Sequence, residues 1–301
     1  MCCLFIYFVT LSYIPLKVSI HFVKHLIGYV SLSANVIVAY SSQKHFIKFF
    51  DRLDSYDHEA ARMKIRRRDK LWIPWIIAFL MALVSLWLII TIMYITKVDD
   101  AFLSSLSDIY TMIIHMCDFL EKFLLLYLVL ERLKHLNEKI APNVSWDEER
   151  REPNAIRISD IKVMHLMLYD AHVAFNNVYR NSLFLSFGSL MMRVVANLSI
   201  FRKENALIAS SFVGPPIMLM LLICIICHRT MEEANNIVCV LNKTMITLVN
   251  SGKTMAKIST LTYFLHNCVS FDAAGFFRIN LPLFHSVSVI PYFELIKLIN
   301  Y

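Results

Sequence analysis

Residues 271–301 read FDAAGFFRINLPLFHSVSVIPYFELIKLINY. The small residues Ala273-Ala274-Gly275 make a hinge, after which the stretch is apolar almost to Tyr301 and long enough to cross a bilayer. Arg278 near its start, Pro291 in its middle, and Glu294 with Lys297 one helical turn apart near its end interrupt it. Ionisable groups at membrane depth are costly, and by default they mark ion or substrate pathways, so this segment is expected to line a pore. The chain then divides into a helical bundle, 1–270, and a pore-lining last helix, 271–301.

Composition agrees with a membrane setting. Of the 301 residues, 57% are hydrophobic, and the mean hydropathy of +0.56 exceeds what a soluble surface accommodates. The apolar runs are rich in Leu, Ile and Phe and lack the alternation of barrel strands, so the spans are expected to be helical. The fold class is an all-α membrane protein. The seven cysteines sit in or beside apolar runs, which suggests buried thiols rather than a disulfide framework. The net charge of +7 is read loop by loop, because basic residues near spans set orientation rather than nucleic-acid affinity.

MCCLFIYFVTLSYIPL at the start is apolar without a basic leader and reads as a short or truncated first span. Leu26–Tyr40 is the second span, and Leu71–Tyr94 is a third, free of charge, with Trp72, Trp75 and Tyr94 near its ends. An acidic link from Lys97 to Asp108 leads to a fourth, Ile109 to about Leu130. It holds His115, Asp118, Glu121 and Lys122, which form either a proton relay or polar groups facing a wet interior. Met164–Arg180 reads as an amphipathic lead-in to a fifth span, Asn181–Phe201, whose Arg193 is expected to snorkel to the nearer interface. Ala206–Cys227 is the sixth, and Met231–Asn267 a long mixed helix in water leading to the last.

Loop charges orient the seven. Ser41–Lys70 carries nine basic residues and Glu131–Lys162 seven, whereas the links after the third and fifth spans carry one and two. The positive-inside rule makes the basic loops cytoplasmic, placing the amino terminus inside and the carboxy terminus outside. The result is an inverted seven-transmembrane bundle in the plasma membrane.

Local motifs add no chemistry. Cys224-Ile-Ile-Cys227-His228 has the spacing of haem attachment but ends a hydrophobic helix on the deduced cytoplasmic side. The sequons at Asn143, Asn197 and Asn242 are expected to go unused. Arg66-Arg67-Arg68 is a positive-inside flank rather than a nuclear signal. With no phosphate loop, HExxH or Gly-x-Ser-x-Gly, the chain is expected to be no enzyme and to use no cofactor, metal or nucleic acid.

Three stretches in order, Arg132-Leu-Lys-His-Leu-Asn137, HLMLYDAHVAFNNVY (165–179) and FDAAGFFRIN (271–280), give the chain its resemblance to the insect gustatory receptors. The resemblance covers the chain from about Phe50 onward. It implies a ligand-gated, weakly selective cation channel opened by a small-molecule tastant, built as a homo- or hetero-tetramer with other gustatory receptors. It also implies a ligand pocket in the outer half of each bundle, with the last helix lining the pore. The family ends on Thr-Tyr, five apolar residues and Gln-Phe, and of this only Tyr292 survives here. A divergent receptor that does not conduct and a polytopic transporter are the alternatives.

In that register Leu295 falls on an apolar gate position and Leu298 on the signature Gln. Steps of seven and three place Ser288, Leu295 and Leu298 near one helical face. Four copies of Leu295 would gate by dewetting, while packing against neighbouring helices is the other reading. Glu294 would form an acidic ring unless Lys297 pairs with it. For the ligand, Trp87, Tyr94 and Tyr110 are wall candidates because aromatic side chains line most small-molecule sites, with helix packing as the alternative.

Overall fold

In QKHFIKFFDRLDSYDHEAAR the apolar residues recur every three to four positions, and the segment folds as a helix burying Phe49, Leu53, Tyr56 and Ala60 on one face. In the computed structural model, residues 16–65, scattered positions between 74 and 92, and 102–145, 156–200, 206–246 and 262–286 are described. Helix α1 is Leu16–Ser41 and α2 is Gln43–Arg62, which ends where Lys64 turns to a φ of 60°. The described positions between 74 and 92 are helical.

Helix α3, Phe102–His135, begins inside the expected acidic link and runs past the expected end of the fourth span. A π-helical turn, Leu136–Ile140, and a 3-10 turn, Ala141–Asn143, close it at Pro142. Pro lacks the N–H that another helical turn would need. Val144–Ser145 (β1) then pairs in parallel with Ile156–Arg157 (β2).

Helix α4, Ile158–Ile200, is unbroken for 43 residues. At 1.5 Å per residue it is roughly 65 Å long, about twice a hydrocarbon core, so lead-in and fifth span are one rod. Its residues at steps of three and four, among them Ile161, Leu168, Phe175, Leu183 and Leu190, are almost wholly buried, and it packs on α1, α2 and α5. Helix α5, Ala206–Ile246, likewise joins the sixth span to the start of the expected mixed helix, with Pro215 and Pro216 near its beginning. A short helix, 262–266, comes next among the described residues.

The opening of the last segment differs from expectation. Asp272–Ala273 (β3) pairs antiparallel with Phe277–Arg278 (β4), so Phe271–Asn280 is a hairpin rather than part of a span. Its turn uses Ala274 at φ 53° and Gly275 at φ 79°, and the Gly275 N–H donates to Asp272 Oδ1 at 2.8 Å. Arg278 therefore lies exposed in the hairpin, before the helix begins. Residues 281–286 are helical, and Asn280 caps them, its Oδ1 accepting from the Leu283 N–H at 3.0 Å.

Among the described residues, two helices are apolar enough to span by composition alone, Phe22–Ser41 and Phe212–Lys243. Helices α3 and α4 carry ionisable groups within their apolar stretches, turned toward one another.

Candidate functional site

Along α3 the residues Asp108, Thr111, His115, Asp118 and Lys122 recur at steps of three and four, which is one face of a helix. On α4 the face presented to them carries Tyr179, Ser182, Ser186, Ser189 and Arg193 at the same steps in reverse. The two faces mate as a polar seam through the bundle. Arg193 Nη1 is 3.2 Å from Asp108 Oδ1, and its Nη2 donates to Thr111. Ser189 Oγ is 3.0 Å from His115 Nε2, Ser186 donates to Asp118 at 3.2 Å, and the Tyr179 hydroxyl donates to Glu121. Lys122, fully buried, pairs with Asp118 on the preceding turn.

Helix α1 completes the seam. Lys24 Nζ is 2.7 Å from Asp108 Oδ2, Tyr29 and Ser107 hydroxyls are 3.0 Å apart, and Ser182 donates to Asn35. Arg193 therefore does not snorkel: it is 4% exposed and held by Asp108 and Thr111. A buried guanidinium with a carboxylate in reach has no need of the interface. The cations Lys24, Arg193 and Lys122 balance the carboxylates Asp108, Asp118 and Glu121. The balance is uneven along the seam, with two cations to one carboxylate at Asp108 and the reverse at Asp118 and Glu121.

Beside the seam is a cavity of about 520 Å³, within the size range of small-molecule sites. Tyr29, Asn35 and Val36 of α1, Phe46 of α2, Tyr110, Cys117, Asp118 and Glu121 of α3, and Tyr179 and Ser182 of α4 line it. Of the three aromatic residues expected to wall a ligand pocket, Tyr110 lines this cavity; Trp87 is 4% exposed, packed in the core and not among the lining residues, and Tyr94 lies outside the described residues. Ser288, Glu294, Leu295 and Leu298 also lie outside them.

The three stretches singled out in the sequence are brought together nearer the amino-terminal end of α4. The Tyr56 hydroxyl lies 3.0 Å from both the Arg132 carbonyl oxygen and His135 Nδ1, and Arg132 pairs with Asp57. Asn137 donates to the Glu233 carbonyl at 2.6 Å, and Asn235 exchanges two hydrogen bonds with the Val269 backbone. From α4, His172 meets Phe271 edge to face with ring centroids 4.6 Å apart, and Asn176 donates to Asp272 at 3.0 Å. His165 stands edge-on to Phe264 at 4.9 Å. Burial pulls both imidazoles down to about 4, for His172 against the opposing pull of Ser270 and Asp272. At neutral pH both are uncharged.

The nominal haem motif is inert, with Cys224 and Cys227 buried as free thiols. The Asn197 sequon is closed, its side chain buried and donating to the Phe212 carbonyl at 3.0 Å.

Long helices that keep balanced ion pairs inward around a cavity of ligand size are the construction of a polytopic membrane receptor. The chain belongs to the 7tm chemosensory receptor family, whose profile matches residues 1–289. The seven-helix membrane bundle is thereby the fold class, and the chain is a receptor rather than an enzyme. The structure is similar to that of the insect olfactory receptor OR5 from Machilis hrabei, with a TM-score of 0.61 at 15% identity over 94% of this chain and 79% of that one. It is also similar to OR5 in complex with eugenol, with a TM-score of 0.56 at 13% identity over 94% and 80% of the two chains. No curated protein matches the sequence.

Proposed function

We propose that this chemosensory receptor is a taste-type, ligand-gated cation channel of the plasma membrane, opened by a small molecule bound in the cavity between α1, α3 and α4. The observation that carries the reading is the placement of α4. Tyr179 and Ser182 line the cavity, while Asn176 and His172, about one and two turns earlier on the same rod, hold the hairpin from which the last helix departs. A rod that touches both places transmits a shift at one to the other, provided the bundle has two packings that the ligand distinguishes. The complex of OR5 with eugenol supports small-molecule binding in this fold.

In this reading the last helix, within 271–301, lines the pore of a tetramer, with Ser288, Glu294, Leu295 and Leu298 toward the axis. The loop charges put the amino terminus inside and the carboxy terminus outside. Expression in a cell line with a panel of tastants should give cation current and four-fold particles in detergent. A carboxy terminus tagged and found inside, or a stable monomer, would overturn it. Ligand binding without current would establish the non-conducting alternative instead.

A further inference from the structure

We propose that the cavity between α1, α3 and α4 is a site for a small organic cation, an arylalkylammonium with a hydrogen-bond acceptor at its other end. The proposal deepens the receptor reading and rests on it only in taking this cavity as the ligand site.

Charge is the first argument. Asp118 and Glu121 both line the cavity, whereas Lys122, the cation between them and the core, is fully buried behind Asp118. Lys122 Nζ lies over the Phe119 and Tyr179 rings, 5.6 and 5.4 Å from their centroids, which fixes it away from the open space. Two carboxylates against one ammonium leave one net negative charge on this wall. The compensating positive excess, Lys24 and Arg193 on Asp108, is ten residues away along α3, roughly 15 Å. Asp118 Oδ2 accepts from Lys122 and Ser186, and Glu121 Oε1 accepts from Tyr179. Among the described residues, Asp118 Oδ1 and Glu121 Oε2 accept nothing, so each keeps an oxygen for a ligand ammonium.

The rings are the second argument. Tyr29, Phe46, Tyr110 and Tyr179 share the cavity with the carboxylates, and aromatic faces near anionic oxygens are what a desolvated organic cation requires. Among the described residues no group of three or more His, Cys, Asp or Glu side chains is placed to hold a metal ion. Asn35 is the third argument. Its Oδ1 is taken by Ser182, while its Nδ2 is buried without a partner among the described residues, so it supplies a donor to a ligand oxygen or nitrogen.

Cys117, exposed on the cavity wall beside Asp118, provides the readout. The full chain in lipid nanodiscs is treated with trimethylammonioethyl or sulfonatoethyl methanethiosulfonate, and Cys117 is tracked by peptide mass spectrometry with exposed Cys268 as internal reference. The cationic reagent should be favoured at Cys117 by about tenfold over its preference at Cys268. Glu121→Gln, which keeps an acceptor for Tyr179, should remove most of that excess. In the unmutated protein 2-(4-hydroxyphenyl)ethylammonium should slow Cys117 modification and 2-(4-hydroxyphenyl)ethanol should not. Equal preference at the two cysteines, or no reaction at Cys117 with either reagent, would overturn the proposal whether or not the variant folds. Protection by the alcohol as good as by the ammonium would overturn the cation class while leaving the cavity a ligand site. Protection by neither would overturn both.

Discussion

Asn176 of α4 donates from Nδ2 to Asp272 Oδ2 across 3.0 Å, and the other oxygen of Asp272 accepts from the Gly275 N–H at 2.8 Å. One carboxylate thus closes the hairpin turn and fastens it to the central helix. Beside it Phe271 is 1% and Ala273 0% exposed, so apolar packing and two charge-assisted hydrogen bonds hold the same ten-residue element.

Replacing Asp272 by Ala removes both bonds and should cost about 2 to 4 kcal/mol, since hydrogen bonds to charged groups contribute roughly 1.5 to 3 each with overlap. Replacing Asn176 by Ala should cost less than half of that, because the turn stays closed. Gly275→Ala forces a side chain onto a φ of 79° and should cost about 1 to 2 kcal/mol. Apparent melting temperatures of the three purified variants should rank in that sense. An Asp272 variant as stable as the parent would show the hairpin to be fastened by packing alone.

Legibility in the sequence depends on how far apart the determining residues lie. The interiors of α1, α2 and α5 declare themselves through local apolar patterns, and so does the helical class. Helix α4 reads as two pieces because its face changes from His165 and Tyr169 to Leu183 and Leu190, a change of surroundings rather than of conformation. The hairpin is hidden because Phe276 and Phe277 extend an apolar run, although Asp272 with Gly275 three residues on is a usable turn signal. Arg193 reads as an interface residue because Asp108, its partner, is 85 positions away. The polar spacing 108, 111, 115, 118, 122 is nevertheless readable, and a stripe of that kind inside an apolar run calls for a mate. Among the ligand candidates Tyr110 belongs to that same helix, whereas nothing local distinguishes Trp87, which packs, from an aromatic residue that lines a cavity.

The end of the seam at Asp108 predicts an asymmetry. Asp108 serves Lys24 at 2.7 Å and Arg193 at 3.2 Å, and both cations are buried. Asp108→Asn leaves two buried cations without a counter-charge and should destabilise by about 3 to 5 kcal/mol or prevent folding. Arg193→Met leaves the Lys24–Asp108 pair intact and should cost roughly 1 to 2 kcal/mol. Surface expression together with the melting temperature checks the order. Equal losses would mean that Lys24 is satisfied elsewhere.

The buried imidazoles predict acid lability. His172 faces Phe271, Tyr169, Ser270 and Asp272, and His165 faces Tyr263 and Phe264. Burial lowers each from 6.5 to about 4 in the folded state. The unfolded chain therefore binds these protons first. The stability they permit is complete above pH 6.5 and is lost progressively as pH falls from 6.5 to 4. At full extent each shift corresponds to roughly 3 kcal/mol. His172→Phe, which keeps a ring against Phe271, should flatten part of that loss, read as melting temperature against pH for parent and variant. Parallel curves would show that His172 takes up its proton in the fold as readily as in the unfolded chain.

The final segment carries the sharpest test of conduction. In the proposed pore Glu294 precedes the gate residue Leu295 near the outer mouth, and four copies would concentrate cations as acidic rings do. Lys297 is one helical turn on, close enough to neutralise them. Arg278 lies in the hairpin, sixteen residues before Glu294 in sequence. Lys297→Gln should raise cation conductance, because it removes four positive charges from the exit and uncovers the carboxylates, and Glu294→Gln should lower it. The measurement is single-channel conductance in symmetrical salt, repeated at low ionic strength where an unscreened ring acts most strongly. Unchanged conductance and selectivity in both variants would place the pair away from the pore. Absence of current in the parent and in the Lys297 variant, with ligand still protecting Cys117, would identify a receptor that binds without conducting.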